Sequence, residues 1–326
     1  MKVSKERLLA QATSSGFRPE VLEKAVLLLG LLEGLGRHPF LKGKLALKGG
    51  TALNLFLFDV PRLSVDADLN YVGAAGREAM LADRPKVERA VEAVCSREGF
   101  AVRRSPEEHA GGKWSLRYPS AMGGGGNLEL DVNYLFRVPL WPVALRSSKS
   151  IGGHKAKAAL LDPHELAAGK LAALLARGAS RDLFDAHQLL TKKKLDRAKL
   201  RLAFVVYGAI DRKDWREVSA KDVSCDPREA KNQLIPLLRK GAEGWKSADV
   251  LVRECRKGLK AVLPFTKSEM EFLDRLLDRG EIEPSLITKD KALAERIRAH
   301  PGLQWKALNV KQFKGKRLSG PPGEER

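Results

Sequence analysis

Two short stretches constrain this chain more than any other: residues 64–70, SVDADLN, and residues 128–135, LELDVNYL. In the first, Val65, Ala67 and Leu69 alternate with Ser64, Asp66, Asp68 and Asn70; in the second, Leu128, Leu130, Val132 and Tyr134 alternate with Glu129, Asp131 and Asn133. A period of two belongs to a strand with one face in a core and the other outside it. Each strand therefore carries acid on its polar face, and one sheet holding both would gather Asp66, Asp68 and Asp131 on one side. Such a cluster suits a hard divalent cation, which takes oxygen ligands and, as Mg²⁺, usually only one or two carboxylates plus substrate phosphates.

Upstream, residues 44–48 (KLALK) read as a short strand running into Gly49, Gly50 and Thr51, and residues 52–58 suit a helix. A glycine turn that opens a helix allows close backbone approach and offers free N–H groups and a positive dipole end to a triphosphate. Lys48 either lines that nucleotide pocket or only marks the strand end. Arg62 and Ser64 precede the acid pair, and Ser64 shares the polar face of Asp66, as a neighbour of the metal, a target of self-modification or a plain strand-edge serine.

Around these motifs the pattern is mixed and then helical. Residues 20–36 carry apolar residues at helical spacing and end in glycine, residues 83–98 suit a second helix, and residues 100–104 and 113–118 suit strands separated by a Gly111–Gly112 turn. A glycine run, 123–126, leads to the second acid-bearing strand. After Pro163 helices are expected over 164–177, 181–191 and several segments from 228 onward, with 204–207 a short strand or a helix start. The expected organisation is an α/β domain with a mixed sheet flanked by helices, residues 1–160, and a mainly α-helical domain, residues 161–326, ending in a basic, then Gly/Pro-rich tail whose last residues are expected to be mobile.

In the helical part Lys170 stands on an Ala- and Leu-rich helix, with Arg177 on the same face; the lysine either meets triphosphate oxygens or snorkels from a packed helix. Ser180 reads as an N-cap, which puts Asp182 and Asp185 in a first turn where the helix dipole by itself favours acids.

Lysine and arginine outnumber the acids 59 to 40, a formal charge of +19 that makes nucleic acid a credible partner. The N-terminus lacks an apolar h-region and no uncharged apolar run approaches the roughly 18 residues of a membrane span, so a cytoplasmic protein is expected. Cys95, Cys225 and Cys255 form no CxxC pair, and the six histidines show no zinc-ligand spacing, which disfavours a zinc hydrolase. Trp215, Trp245 and Trp305 lie among basic residues, as core anchors or as base-stacking platforms.

The order of strand, Gly-Gly-Thr, helix, Asp-x-Asp strand and a later strand with a third Asp resembles the DNA polymerase β-like nucleotidyltransferase superfamily. More closely, LKGGTALNLF, RLSVDADLNYV, ELAAGKLAALLARGASRDLFD, and FLDRLLDRGEIEPSLITKD with HPGLQWKALNV resemble the AbiEii/AbiGii group of nucleotidyltransferase toxins, which includes the MenT toxins; the resemblance covers about residues 45–310. It implies that Gly49, Gly50 and Thr51 grip a nucleoside triphosphate, that Asp66 and Asp68 bind metal, and that Lys170 and Asp182 are needed for activity. Thr51 stands where superfamily members often have serine, with the hydroxyl retained.

The resemblance further implies a toxin of a toxin–antitoxin system that uses Mg²⁺ or Mn²⁺ to move a nucleoside monophosphate from an NTP to an acceptor hydroxyl. The implied acceptor is the 3′ end of tRNA, and the implied protein partner is a cognate antitoxin. Two other readings stay open: a nucleotide- or nucleic-acid-binding protein on the same fold without catalysis, and nucleotidylation or phosphorylation of a protein hydroxyl.

Overall fold

The computed structural model of the protein describes residues 4–105, 111–241 and 247–318, with side chains as far as Gln312. A mixed seven-stranded sheet forms its centre, flanked by helices, as the α/β pattern predicts. The strands are β1 (Leu45–Leu47), β2 (Asp66–Tyr71), β3 (Ala101–Arg104), β4 (Gly111–Pro119), β5 (Gly125–Asn133), β6 (Ala144–Ser147) and β7 (Lys157–Leu160), in the order β3-β4-β5-β2-β1-β7-β6.

Helix α1 (Lys5–Ser15), capped by the Ser4 side chain, leads into α2 (Pro19–Arg37). Proline at the start of α2 removes one of the N–H groups that a helix start leaves without a partner. Its seven leucines from Leu22 to Leu35 are all buried, with Ala25 and Val26 beside them, so α2 is a core helix rather than an amphipathic one. The expected glycine end is corrected: Gly36 lies inside the helix, which stops at Arg37.

After β1 the chain makes a single turn of α3 (Gly49–Thr51) and continues as a π-helical stretch, Ala52–Leu57, where an ordinary helix was expected. Helix α4 (Arg77–Arg97) starts earlier than expected, with Pro85 inside it. The proposed Gly111–Gly112 turn is instead the start of β4, and Gly125 and Gly126 belong to β5, while Gly123 and Gly124 take positive φ in the turn.

The second part is helical, as expected: α5 (Pro163–Arg177), α6 (Ser180–Lys192), α7 (Arg197–Ala209), the one-turn α8 (Pro227–Glu229), α9 (Ala248–Gly258), α10 (Lys267–Asp274), α11 (Lys291–Arg298) and α12 (Pro301–Leu318). Phe204–Tyr207 lies within α7. One buried apolar cluster runs from Leu8 to Ala307, joining the sheet to the later helices. Trp215 is fully buried against Phe204 at 5.3 Å between ring centroids, a core anchor, whereas Trp305 is exposed. Trp245 and the tail from residue 319 lie outside the described residues. Among the described residues no helix is long and apolar enough to cross a membrane.

Candidate active site

Register decides what the alternation could only suggest. Strand β2 pairs with β1 antiparallel and with β5 parallel, and the β2–β5 alignment sets Asp66 beside Glu129 and Asp68 beside Asp131. Registered residues on adjacent strands point to one face about 4.8 Å apart. Asp66, Asp68, Glu129 and Asp131 therefore make a two-by-two grid of carboxylates, while Ala67, Leu69, Leu130 and Val132 are buried on the opposite face.

The grid is electrostatically tense. Burial pushes the Asp66 carboxyl above the usual carboxylate range and the charge of Asp68 adds to it, with Arg181 opposing. Burial also raises Asp131, partly offset by Lys113 and reinforced by Asp68 and Glu129. Lys113, on β4, pairs with Glu129 at 2.9 Å and lies in register with Asp131. Sequence reasoning left Glu129 out of the site, although it sits on the same polar face of its strand as Asp131.

The glycine turn is seated on this grid. Gly49 has φ +71°, the left-handed region that favours glycine, and a Cβ there would stand 2.3 Å from Asp68 Oδ2. Lys48 donates its backbone N–H to the Asp68 carbonyl at 2.9 Å, and its charge acts on Asp131. Thr51 is buried, and its hydroxyl donates to the Asp66 carbonyl at 2.6 Å, tying the turn to β2.

Beneath the turn lies a buried chain of charges. Arg62 donates from Nε and Nη2 to the two oxygens of Asp185, at 2.8 and 2.6 Å, and both residues are buried. Asn54 bridges the Gly50 carbonyl and Asp185, each at 2.9 Å. Lys170 donates to Asp182 at 2.7 Å and stands 3.2 Å from Asp185, and Arg177 Nε donates to the other oxygen of Asp182 at 2.6 Å. The order Arg62, Asp185, Lys170, Asp182, Arg177 alternates in sign, as its four buried members require, and Arg177 closes the chain at the surface.

Gly50 packs on this floor: a Cβ there would lie 2.7 Å from Arg62 Nη2 and 2.9 Å from Ser64 Oγ. Ser64 is buried. Lys170 does not merely snorkel, since it is buried between two aspartates.

Two local expectations are corrected. Asp185 is not simply a first-turn acid favoured by the dipole: it is fully buried and takes donors from Arg62 and Asn54. Ser180 is not the N-cap of α6; Ala179 is, without a side-chain bond, and the Ser180 N–H is met by Glu229 at 2.8 Å. Asn54 and Arg181 escaped the sequence reading, and Asp185 was read there only as a first-turn acid. Asp182 and Asp185 sit three apart on α6, and Lys170 interrupts an apolar helix, so unpaired charges at core positions were the available signal.

Among the described residues no three carboxylate, histidine or cysteine side chains converge to hold a metal ion. Asp66 and Asp68, on one face of β2, still match a cation that takes two carboxylates and completes its shell with phosphate oxygens and water. Asp131 lies beside Asp68 without completing a three-ligand set.

Comparison with known proteins bears on this arrangement. The chain is similar in structure to MenT4, a nucleotidyltransferase toxin from Mycobacterium tuberculosis H37Rv, at 17% identity and a TM-score of 0.63, over 93% of this chain and 99% of that one, a likeness of fold. JHP933 from Helicobacter pylori aligns at 16% identity over 93% of this chain and 98% of that one, with a TM-score of only 0.41. No curated protein sequence matches the chain. Residues 31–308 match the sequence family described as nucleotidyl transferase AbiEii toxin, type IV toxin–antitoxin system. With most of its length, the sheet and the helical part alike, inside that match, this chain belongs to the AbiEii nucleotidyltransferase toxin family.

Proposed function

We propose that the protein transfers a nucleoside monophosphate from an NTP to the 3′-terminal hydroxyl of a tRNA, and so blocks aminoacylation and translation. The observation that carries this reading is the Gly49–Thr51 turn seated on a β2–β5 grid of carboxylates. Asp66 and Asp68 hold Mg²⁺ or Mn²⁺, which when bound supplies charge to the α-phosphate and its leaving group.

The rest of the chemistry belongs to this chain. The Gly49, Gly50 and Thr51 backbone grips the phosphates, with Lys48 at the turn's entrance. Arg62, Ser64 and Asn54 fix the floor on which Gly50 rests. The acceptor oxygen bonds to the α-phosphorus, its proton passes to Asp131, and the bond between the α-phosphorus and the bridging oxygen breaks to release pyrophosphate. Lys170 and Asp182 brace the cleft wall contributed by residues 161–326, the helical domain that faces the nucleotidyltransferase domain of residues 1–160.

Support for an RNA acceptor comes from the excess of 59 basic over 40 acidic residues. The toxin–antitoxin family implies an antitoxin as protein partner, and the cytoplasm, where tRNA is charged, as the site of action.

The test is incubation with each α-labelled NTP, Mg²⁺ and total tRNA. Label in tRNA is expected, with acceptor binding that weakens steeply between about 50 and 200 mM salt. Label in protein alone would replace the acceptor with a protein hydroxyl. NTP binding without any transfer would leave a non-catalytic binding protein.

A further inference from the structure

Arg181 carries the one ion pair to either member of the acid pair among the described residues: its Nη1 lies 3.5 Å from Asp66 Oδ2. Both side chains are about two-fifths exposed, at 41% and 42%, so the contact sits in the open cleft and not in the core. At that distance and exposure it is a weak pair, easily exchanged for a better partner. Near the start of α6 and just past the end of α5, Arg181 follows Arg177 by four residues. The Arg177 side chain is 66% exposed although Asp182 holds its Nε; its two terminal nitrogens make no hydrogen bond or ion pair among the described residues. Lys170, by contrast, is buried and committed to Asp182 and Asp185.

The geometry points to Arg181 as a phosphate-binding residue that gives up Asp66 for the β- and γ-phosphates when the nucleoside triphosphate binds, with Arg177 beside it as the second cation. This inference rests on the proposed nucleotidyl transfer and goes beyond it in naming the groups that read the triphosphate tail. Asp66 and Asp68 together would hold a divalent cation more firmly than Asp66 alone holds the Arg181 guanidinium, which would then be released from Asp66. The displaced guanidinium then has phosphate oxygens of the same substrate within its reach, and its planar fork matches them in bidentate fashion. No covalent step is involved. Lys170, in this arrangement, neutralises the aspartates that hold Arg177 and Arg62, and leaves the substrate to the two arginines.

The experiment measures binding of the α,β-methylene analogues of ATP, GTP, CTP and UTP, and of the four monophosphates, in the presence of Mg²⁺. Wild type is compared with Arg181→Ala, Arg181→Lys and Arg177→Ala. Arg181→Ala is expected to weaken binding of the preferred triphosphate analogue at least about tenfold while the matching monophosphate changes less than about twofold, because only the tail contact is lost. Arg177→Ala is expected to act in the same sense, and Arg181→Lys to recover part of the loss. In the free protein, Mn²⁺ titrated alone is expected to bind Arg181→Ala more tightly than wild type, since its competitor at Asp66 has gone. Unchanged triphosphate affinity in Arg181→Ala overturns the inference, as do equal losses for triphosphate and monophosphate or equal Mn²⁺ binding. A wild type that binds no triphosphate would instead remove the functional reading on which it rests.

Discussion

Asp185→Asn tests the floor of the site most directly. Asp185 is completely buried, accepts from Arg62 Nε and Nη2 at 2.8 and 2.6 Å and from Asn54 at 2.9 Å, and has Lys170 at 3.2 Å. Asparagine keeps the shape and loses the charge, so the Arg62 and Lys170 cations are left short of a counter-charge. Its amide also points a donor at donors. Breaking one side of a buried pair costs about 3–5 kcal/mol. With 326 residues the unfolding entropy is about 0.7 kcal/mol/K, so each kcal/mol moves the melting temperature by about 1.5 °C and a fall of at least about 4 °C is expected by thermal melt at pH 7.

The pH dependence has a definite sign. Burial alone would push the Asp185 carboxyl up, but the charges of Arg62 and Lys170, with hydrogen bonds from Arg62 and Asn54, outweigh it and hold the group below its ordinary value of 3.8. The stability it contributes is then fully present above that unfolded value and is lost as pH falls through the lower folded one. The gap between wild type and Asp185→Asn should therefore be widest near neutrality and close in acid. The double variant Arg62→Met/Asp185→Leu, which removes both charges, should melt closer to wild type than Asp185→Asn does. A single variant melting within about 2 °C of wild type at pH 7 would refute the reasoning, because an uncompensated buried arginine cannot cost so little.

Three further expectations follow from the same geometry. Gly50→Ala drives a methyl against the buried Arg62 and Ser64, at 2.7 and 2.9 Å, and should cost about 1–3 kcal/mol by chemical unfolding; an unchanged midpoint would mean the floor yields freely. Asp66→Asn and Asp68→Asn should each abolish transfer yet melt at or above wild type, since each relieves repulsion between like charges; near-normal transfer in either would remove the pair from the site. Glu165, buried and bonded to the Leu140 and Trp141 N–H groups and the Tyr207 hydroxyl, is pushed up to about 7 by burial, so wild type should lose stability as pH rises from about 4.5 to 7, by about 3 kcal/mol, and Glu165→Gln should flatten that slope. Identical slopes in the two proteins would show that Glu165 titrates normally.

Much of this molecule is legible in local pattern. The alternation in residues 64–70 and 128–135 determined both strands and the burial of Ala67, Leu69, Leu130 and Val132, because side-chain period is a property of the strand itself. The helices after Pro163 and the glycine turn before β2 were equally local. Strands β6 and β7 were not legible: each is four residues long, β6 is exposed throughout, and neither offers an alternation to read. The short run ALNLFL likewise states an apolar helix without stating that its turns widen to the π form.

The tertiary structure alone decided register and pairing. Which residue of β5 lies beside Asp68 depends on how the chain between the two strands is laid down, and the parallel alignment made it Asp131 and brought Glu129 to Asp66. Arg62 and Asp185 are 123 residues apart, and Lys170 serves two aspartates on the next helix. Sequence shows that these charges exist at positions where apolar residues dominate. A buried charge must find an opposite charge, but the demand is met by whichever partner the packing of α5 and α6 against the turn brings within about 3 Å, and that choice is made only when the whole core closes.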